Sequence, residues 1–249
     1  MLNKKPYLKE IILNHDLISS YREYPFNIPI IKTLNSLEFH KDVTFIIGEN
    51  GTGKSTLIES IALSLGFGIE GGTRNVQIKT HNNASSLFQH LKLIKSFQKP
   101  SDYYFLRAES FYNVATYMEE TNYLKGYGGI SLHNLSHGES FMAALTNKLK
   151  GKGLYIFDEP EAALSPTRQM SALVAIDQLV KADSQFIIAT HSPILLAYPS
   201  SMIYQLDSNG IKEVKYEDTE HYIITKRFLN DPQRMIEILL KEETIHNKK

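Results

Sequence analysis

The sequence predicts an α/β protein with a largely parallel central sheet, helices on both faces and an added antiparallel β part. Residues 43–47 (VTFII), 103–106 (YYFL), 154–157 (LYIF) and 186–189 (FIIA) are short, unbroken apolar runs of the kind a parallel sheet buries on both faces. Segments with helical spacing lie between them, so strands alternate with helices. Residues 7–13 and 36–39 near the start, and 202–216 near the end, have strand patterns of their own and supply the antiparallel part.

The chain is organised around residues 46–56 (IIGENGTGKST), which fit G-x-x-x-x-G-K-[ST], the phosphate-binding P-loop. An apolar strand precedes the motif, and residues 56–65 (TLIESIALSL) follow it at helical spacing. Asn50, Gly51, Thr52, Gly53, Lys54, Ser55 and Thr56 are the expected nucleotide-binding residues. Glycine lets the backbone curl until its N–H groups face an anion, and the helix start adds its positive end. Lys54 can reach the β- and γ-phosphates, and Ser55 can ligate Mg²⁺.

In order, residues 7–13 read as a strand, and Pro25 and Pro29 bar a continuous helix over 19–34. A loop is expected there, with a strand entering near Ile30. Residues 66–75 (GFGIEGGTRN) form either a plain connector or a flap that brings Arg74 to phosphate or ribose. Leu87, Leu91 and Ile94 predict an amphipathic helix over 84–97. Helices are also expected over 111–125, ended by glycines at 126–129, over 135–149, and over 166–180 with Ser165 as N-cap. A hairpin turns at 207–210, and two C-terminal helices split at 230–232. The whole chain, 1–249, reads as one domain with a short helical insertion at about 84–150.

Composition narrows the chemistry. Of 249 residues 42% are hydrophobic, enough for a substantial core, and 27 basic residues balance 27 acidic ones. Nothing in that balance calls for nucleic acid or an anionic membrane. There is no cysteine, which excludes disulfides, thiolate metal sites and cysteine nucleophiles and fits a reducing cytoplasm. The N-terminus lacks an apolar h-region and no run is long enough to span a bilayer, so no direct membrane insertion is expected.

Three apolar strands end in polar residues: at Gly48, at Asp158-Glu159 and before His191. The C-terminal ends of parallel strands can converge on one crevice. Asp158 is placed to hold Mg²⁺ directly or through water, and Glu159 to orient or deprotonate an attacking water. Two adjacent acids at a buried strand end repel each other unless a cation joins them. His191 is either an ordinary satisfied histidine or a contact to the γ-phosphate or the lytic water. Arg22, Tyr24 and Phe26 are candidates to stack on a base.

Residues 135–139 (LSHGE) resemble the signature of ABC-type ATPases, with His and Glu where transporters usually carry Gly and Gln. The order P-loop, signature, acidic strand end, histidine is similar to that class, and residues 162–166 (AALSP) resemble its D-loop. The strings VTFIIGENGTGKST, FLRAESFYNVA, LSHGESF and DEPEAALSPTRQ resemble soluble, stand-alone ATPases near the Rad50, SMC and RecF group. The resemblance runs from about residue 20 to 200 and implies a P-loop NTPase fold of ABC-ATPase type. It also implies Mg²⁺-dependent ATP hydrolysis between two copies of the chain. Ser136, Gly138 and Glu139 would then cap the γ-phosphate in trans from a helix N-terminus. The bland alternative is that Ser136 and Glu139 form a capping box; both can hold.

Two departures matter. The family's Q-loop glutamine is missing, and Glu109 is the expected stand-in as a third metal contact beside Ser55 and Asp158. Residues 110–135 are too few for the helical subdomain of a transporter ATPase, and no sustained heptads allow a coiled-coil arm. The expected activity is ATP hydrolysis with Lys54, Glu159 and His191 as catalytic residues, in a cytoplasmic homodimer. It would drive or gate an effector protein or nucleic acid in DNA maintenance or phage defence. A non-catalytic ATP switch and a transporter ATPase subunit are the alternatives.

Overall fold

The computed structural model describes residues 5–76, 84–121 and 131–246. In chain order the elements are β1 (Leu8–Leu13), α1 (Pro29–Thr33), β2 (Ser36–Glu38), β3 (Val43–Gly48), α2 (Lys54–Ser64), β4 (Leu91–Lys95), β5 (Asp102–Arg107) and α3 (Phe111–Glu120). There follow α4 (His137–Ala143), β6 (Gly153–Asp158), α5 (Pro166–Lys181), β7 (Gln185–Ala189), α6 (Pro193–Leu196), β8 (Met202–Asp207), β9 (Gly210–Val214), α7 (Glu220–Asn230) and α8 (Pro232–His246).

The main sheet has the order β5-β6-β7-β3-β8-β9. Its first five strands run parallel, and β9 returns antiparallel through the hairpin. Every residue of β3, β6 and β7 is buried, which is why these strands read as unbroken apolar runs. Successive side chains serve opposite faces. Val43, Phe45 and Ile47 pack with Phe157, Phe186, Phe141 and Ile176 on one side. Ile46, Ile156 and Ile187 pack with Leu57, Ile58 and Ile61 of α2 on the other. A second, antiparallel sheet, β2-β1-β4, joins that latter core through Leu8, Ile11 and Leu37.

Two local expectations are corrected. The chain near Ile30 forms the short helix α1, with Pro29 presetting its first turn and both Ile30 and Ile31 buried. Residues 84–97 do not form a helix. A 3₁₀ turn, Ser86–His90, leads into β4, which pairs with β1 in register Leu13↔Leu91 and Ile11↔Leu93. The unpaired edge of β1 decides this, because a strand edge offers backbone groups that a solvent-facing helix would leave unused. The helix at 111 ends at Glu120 with Thr121 as its C-cap, short of the expected residue 125, and the glycines expected to break it lie outside the described residues. The helix at 135–149 is shorter than expected, with α4 followed by one wide π-helical turn over Ala144–Lys148.

Candidate functional site

β3 passes through the loop 49–53 into α2, as the motif requires. Gly53 adopts left-handed φ of 100°, and a Cβ there would lie 2.9 Å from Ile28 Cγ2. No side chain caps α2. Its first N–H groups therefore stay available to an anion. Lys54 is buried, and its ammonium donates to Gly48 O (2.8 Å) and Glu49 O (3.0 Å). Burial holds the Lys54 pKa below the ordinary amine value, against the pull of Glu159, Asp158 and Glu161. Thr52 Oγ1 donates to Glu49 O (2.8 Å), while Asn50 and Gly51 are exposed at the loop tip. The Thr56 hydroxyl shares a hydrogen bond with Tyr24 Oη at 3.2 Å.

Asp158 ends β6 and is 5% exposed. Ser55 Oγ donates to its Oδ1 at 3.4 Å, so the start of α2 and the end of β6 meet although β7 separates β6 from β3. Burial pushes the Asp158 pKa up to about 6, against the pull of Arg107 and Ser55 and with the push of Glu159 and Glu59.

The cation that adjacent acids were expected to need is partly supplied by the chain. Arg107 ends β5 opposite Asp158 in the ladder. Its Nη1 donates to Glu59 Oε2 (3.0 Å) and its Nη2 to Glu109 Oε2 (3.2 Å). Its Nε lies 3.9 Å from Asp158 Oδ2, close enough for attraction but without a hydrogen bond. Glu109, expected at the metal, lines the same cleft as Ser55, Asp158 and Glu159, but its largely exposed carboxylate is held by Arg107.

Glu159 follows with left-handed φ of 51°, and its N–H donates to Ala189 O at 3.0 Å. Its Oε1 is 3.5 Å from His191 Nε2. His191 is fixed from behind by Glu161, which accepts from the His191 N–H and from Thr190 Oγ1 (2.7 Å). The other ring nitrogen, Nδ1, is 3.2 Å from His221 Nε2 on α7. Arg107, Glu161 and His221 were all missed as site residues. Glu161 left a trace, a third acid just beyond the acidic strand end, and Arg107 one only through Glu109 two residues on; His221 left none.

The signature residues are gathered at α4. Ser136 and Glu139 form the anticipated capping box: Glu139 Oε2 accepts from Ser136 N and Oγ, both at 2.8 Å. Arg168 of α5 donates to Ser136 Oγ and Glu139 Oε1, both at 3.1 Å. The Ser136 backbone and hydroxyl bonds hold the Glu139 carboxyl below its ordinary pKa. Gly138 is fixed by packing, since a Cβ there would lie 2.6 Å from Ala163 O and from Arg168 Nη1. The described hydrogen bonds of Ser136 and Glu139 join them to α4 and α5 and not to the P-loop of their own chain.

Two expectations fall away. Arg74 lies 4.7 Å over the Tyr103 ring and against Gly66, at the start of β5, the end of that strand away from Asp158, so it is not at the phosphate loop. Phe26 is buried, edge-on to His90 at 4.7 Å, and is core. Tyr24 is 61% exposed beside Thr56, and Arg22 is exposed.

The donor set fits Mg²⁺ with a nucleotide. Ser55 hydroxyl and Asp158 carboxylate are hard oxygen donors brought together at the start of α2. Among the described residues no group of three or more His, Asp or Glu could hold a metal. A cation here would therefore complete its shell from phosphate and water, as Mg²⁺ usually does. No helix among the described residues is long and apolar enough to cross a membrane.

Comparison with known proteins agrees. The family described as "AAA domain" matches residues 25–130, and that described as "AAA domain, putative AbiEii toxin, Type IV TA system" matches residues 119–197. The chain is 24% identical over 181 residues to the arginine transport ATP-binding protein ArtM of Bacillus subtilis (strain 168), covering 65% of this chain and 75% of that protein. The structure of cbiO1 from Clostridium perfringens, part of the ABC transporter complex cbiONQ, has the same fold. Its TM-score is 0.51 at 18% identity, over 95% of this chain and 100% of that one. The SMC head domain from Thermotoga maritima gives a TM-score of 0.47 at 16% identity, over 84% and 100% of the two chains. The two family matches together run from before the P-loop to beyond His191 and take in every motif described above, and over that stretch the chain is similar to AAA-domain P-loop ATPases.

Proposed function

We propose that the protein binds and hydrolyses Mg²⁺–ATP between two copies of the chain, and so drives or gates a partner in DNA maintenance or phage defence. The observation that carries this reading is the convergence of Ser55, Asp158, Glu159 and His191. Ser55 lies 3.4 Å from Asp158, and Glu159, next in sequence, lies 3.5 Å from His191.

Bound Mg²⁺ would neutralise charge on the phosphates as the γ-phosphoryl group is transferred to water. Ser55 and Asp158 would hold it. Lys54 would exchange Gly48 O and Glu49 O for phosphate oxygens. Glu159 would take the proton of the attacking water. His191 would donate from Nε2 toward the developing phosphate, and Tyr24 would stack on the adenine. Ser136 is exposed at the start of α4, which supports its meeting the nucleotide of a second copy.

The defence setting is supported by the toxin–antitoxin description of the family that matches residues 119–197. The similarity to ArtM favours a transporter ATPase subunit as a second reading, against which stands the shortness of residues 110–135. Phosphate release from Mg²⁺–ATP tests the activity. We expect turnover by the wild type, loss of at least about 100-fold in Glu159→Gln with ATP still bound, and loss of activity in EDTA. No release by the wild type alone or with DNA would overturn hydrolysis and leave an ATP-dependent switch.

A further inference from the structure

α7 reaches the site from the C-terminal part of the chain. Thr219 is fully buried and fixes the start of this helix: its Oγ1 donates to Tyr216 O at 2.7 Å and accepts from Tyr222 N at 3.3 Å. Two residues on, His221 turns toward His191, with ring centroids 5.4 Å apart and His221 Nε2 3.2 Å from His191 Nδ1. Three side chains from three elements therefore stand in line. Glu159 follows β6, His191 follows β7 and His221 belongs to α7.

Between two neutral imidazoles one nitrogen must donate and the other accept. If His191 Nδ1 donated, its bare Nε2 would face the Glu159 carboxylate, placing two acceptors 3.5 Å apart. The His221 proton would then sit on Nδ1, which is buried and has no hydrogen-bond partner. An orphaned buried N–H is costly. In the opposite arrangement His221 Nε2–H donates, and His191 carries its proton on Nε2, which makes no hydrogen bond of its own but lies 3.5 Å from the Glu159 carboxylate, whereas His221 Nδ1 has no such acceptor beside it. The surroundings favour the neutral form of His221: burial, His191 and Lys54 lower its pKa, and Glu220 alone opposes them.

We propose that His221 is a positioning residue that fixes His191 as the Nε2–H tautomer, so that His191 presents a donor to the Glu159 carboxylate and to the phosphate being transferred. The proposal rests on the ATPase reading for its kinetic consequence and not for the tautomer itself. It makes helix α7 part of the catalytic unit, although α7 lies beyond the residues that the two family matches cover.

The test is ¹⁵N NMR of the histidine rings in the full chain at pH 7.5, combined with kcat and KM for Mg²⁺–ATP. In the wild type His191 is expected with its proton on Nε2. His221→Phe removes the donor; it should mix the two tautomers and lower kcat about 10- to 100-fold while KM changes less than about threefold. His221→Gln retains an N–H donor and should restore the tautomer and most of the lost kcat. His221→Glu offers only an acceptor and should move the His191 proton to Nδ1. A wild-type proton on Nδ1, or a His221→Phe protein with unchanged tautomer and kcat, overturns the proposal. A wild type that hydrolyses no ATP but shows the Nε2–H tautomer, shifted in His221→Glu, would overturn the ATPase reading and leave the positioning role standing.

Discussion

Arg107 stands opposite Asp158 across the β5–β6 ladder, with its Nε 3.9 Å from Asp158 Oδ2 and its two other nitrogens on Glu59 and Glu109. One guanidinium thus serves three carboxylates, two of them largely buried. Removing it takes the guanidinium away from Glu59 and Asp158 in a poorly solvated cleft. Arg107→Met should destabilise the nucleotide-free protein by about 3 kcal/mol, as expected when one partner of a buried pair is lost. Urea unfolding of Arg107→Met and of the double variant with Glu59→Gln checks this, and the second change should recover part of the loss. Arg107→Lys keeps the charge but not the fork, and should fall between.

Arg107 also shows where sequence reading stops. The P-loop, its strand and its helix are contiguous, so their pattern was legible. The same holds for the buried strands ending at Asp158 and before His191, and for the capping box at Ser136. β4 was misread because its partner β1 lies far away in sequence, and pairing overrode a helical spacing of three leucine and isoleucine residues. Arg107 and His221 were passed over because their partners come from other elements: Glu59 from α2 and Asp158 from β6 in one case, His191 after β7 in the other. Arg74 and Phe26 had the right chemistry for a nucleotide contact, but the fold places the first at the far end of β5 and the second in the core.

Tyr24 is exposed and tied to Thr56 of α2, so its ring is available to a base at the nucleotide site. Tyr24→Ala should weaken ATP binding by roughly 10-fold, within the range for one stacked base, and Tyr24→Phe by much less. Calorimetric titration reads both. Phe26→Ala should instead lower thermal stability through the cavity it leaves.

The pH dependence of stability follows from His221. Its folded pKa is depressed by burial, His191 and Lys54, so below the ordinary histidine value the unfolded chain binds the proton more readily. The stability contributed by neutral His221 is complete above about pH 6.5 and is lost as pH falls below that value. Thermal melts of the nucleotide-free protein between pH 7.5 and 5.5 should fall less steeply in His221→Gln than in the wild type. His40, depressed mainly by burial, keeps part of the slope in both.

The central claim is that two copies of this chain close around ATP. Light scattering of Glu159→Gln with saturating Mg²⁺–ATP tests it most directly, with ADP and Lys54→Ala as controls. The account predicts a mass near 57 kDa, twice the 28.4 kDa chain, with ATP only, and a monomer in both controls. A monomer with ATP bound would contradict the sandwich and the role given to Ser136 and Gly138.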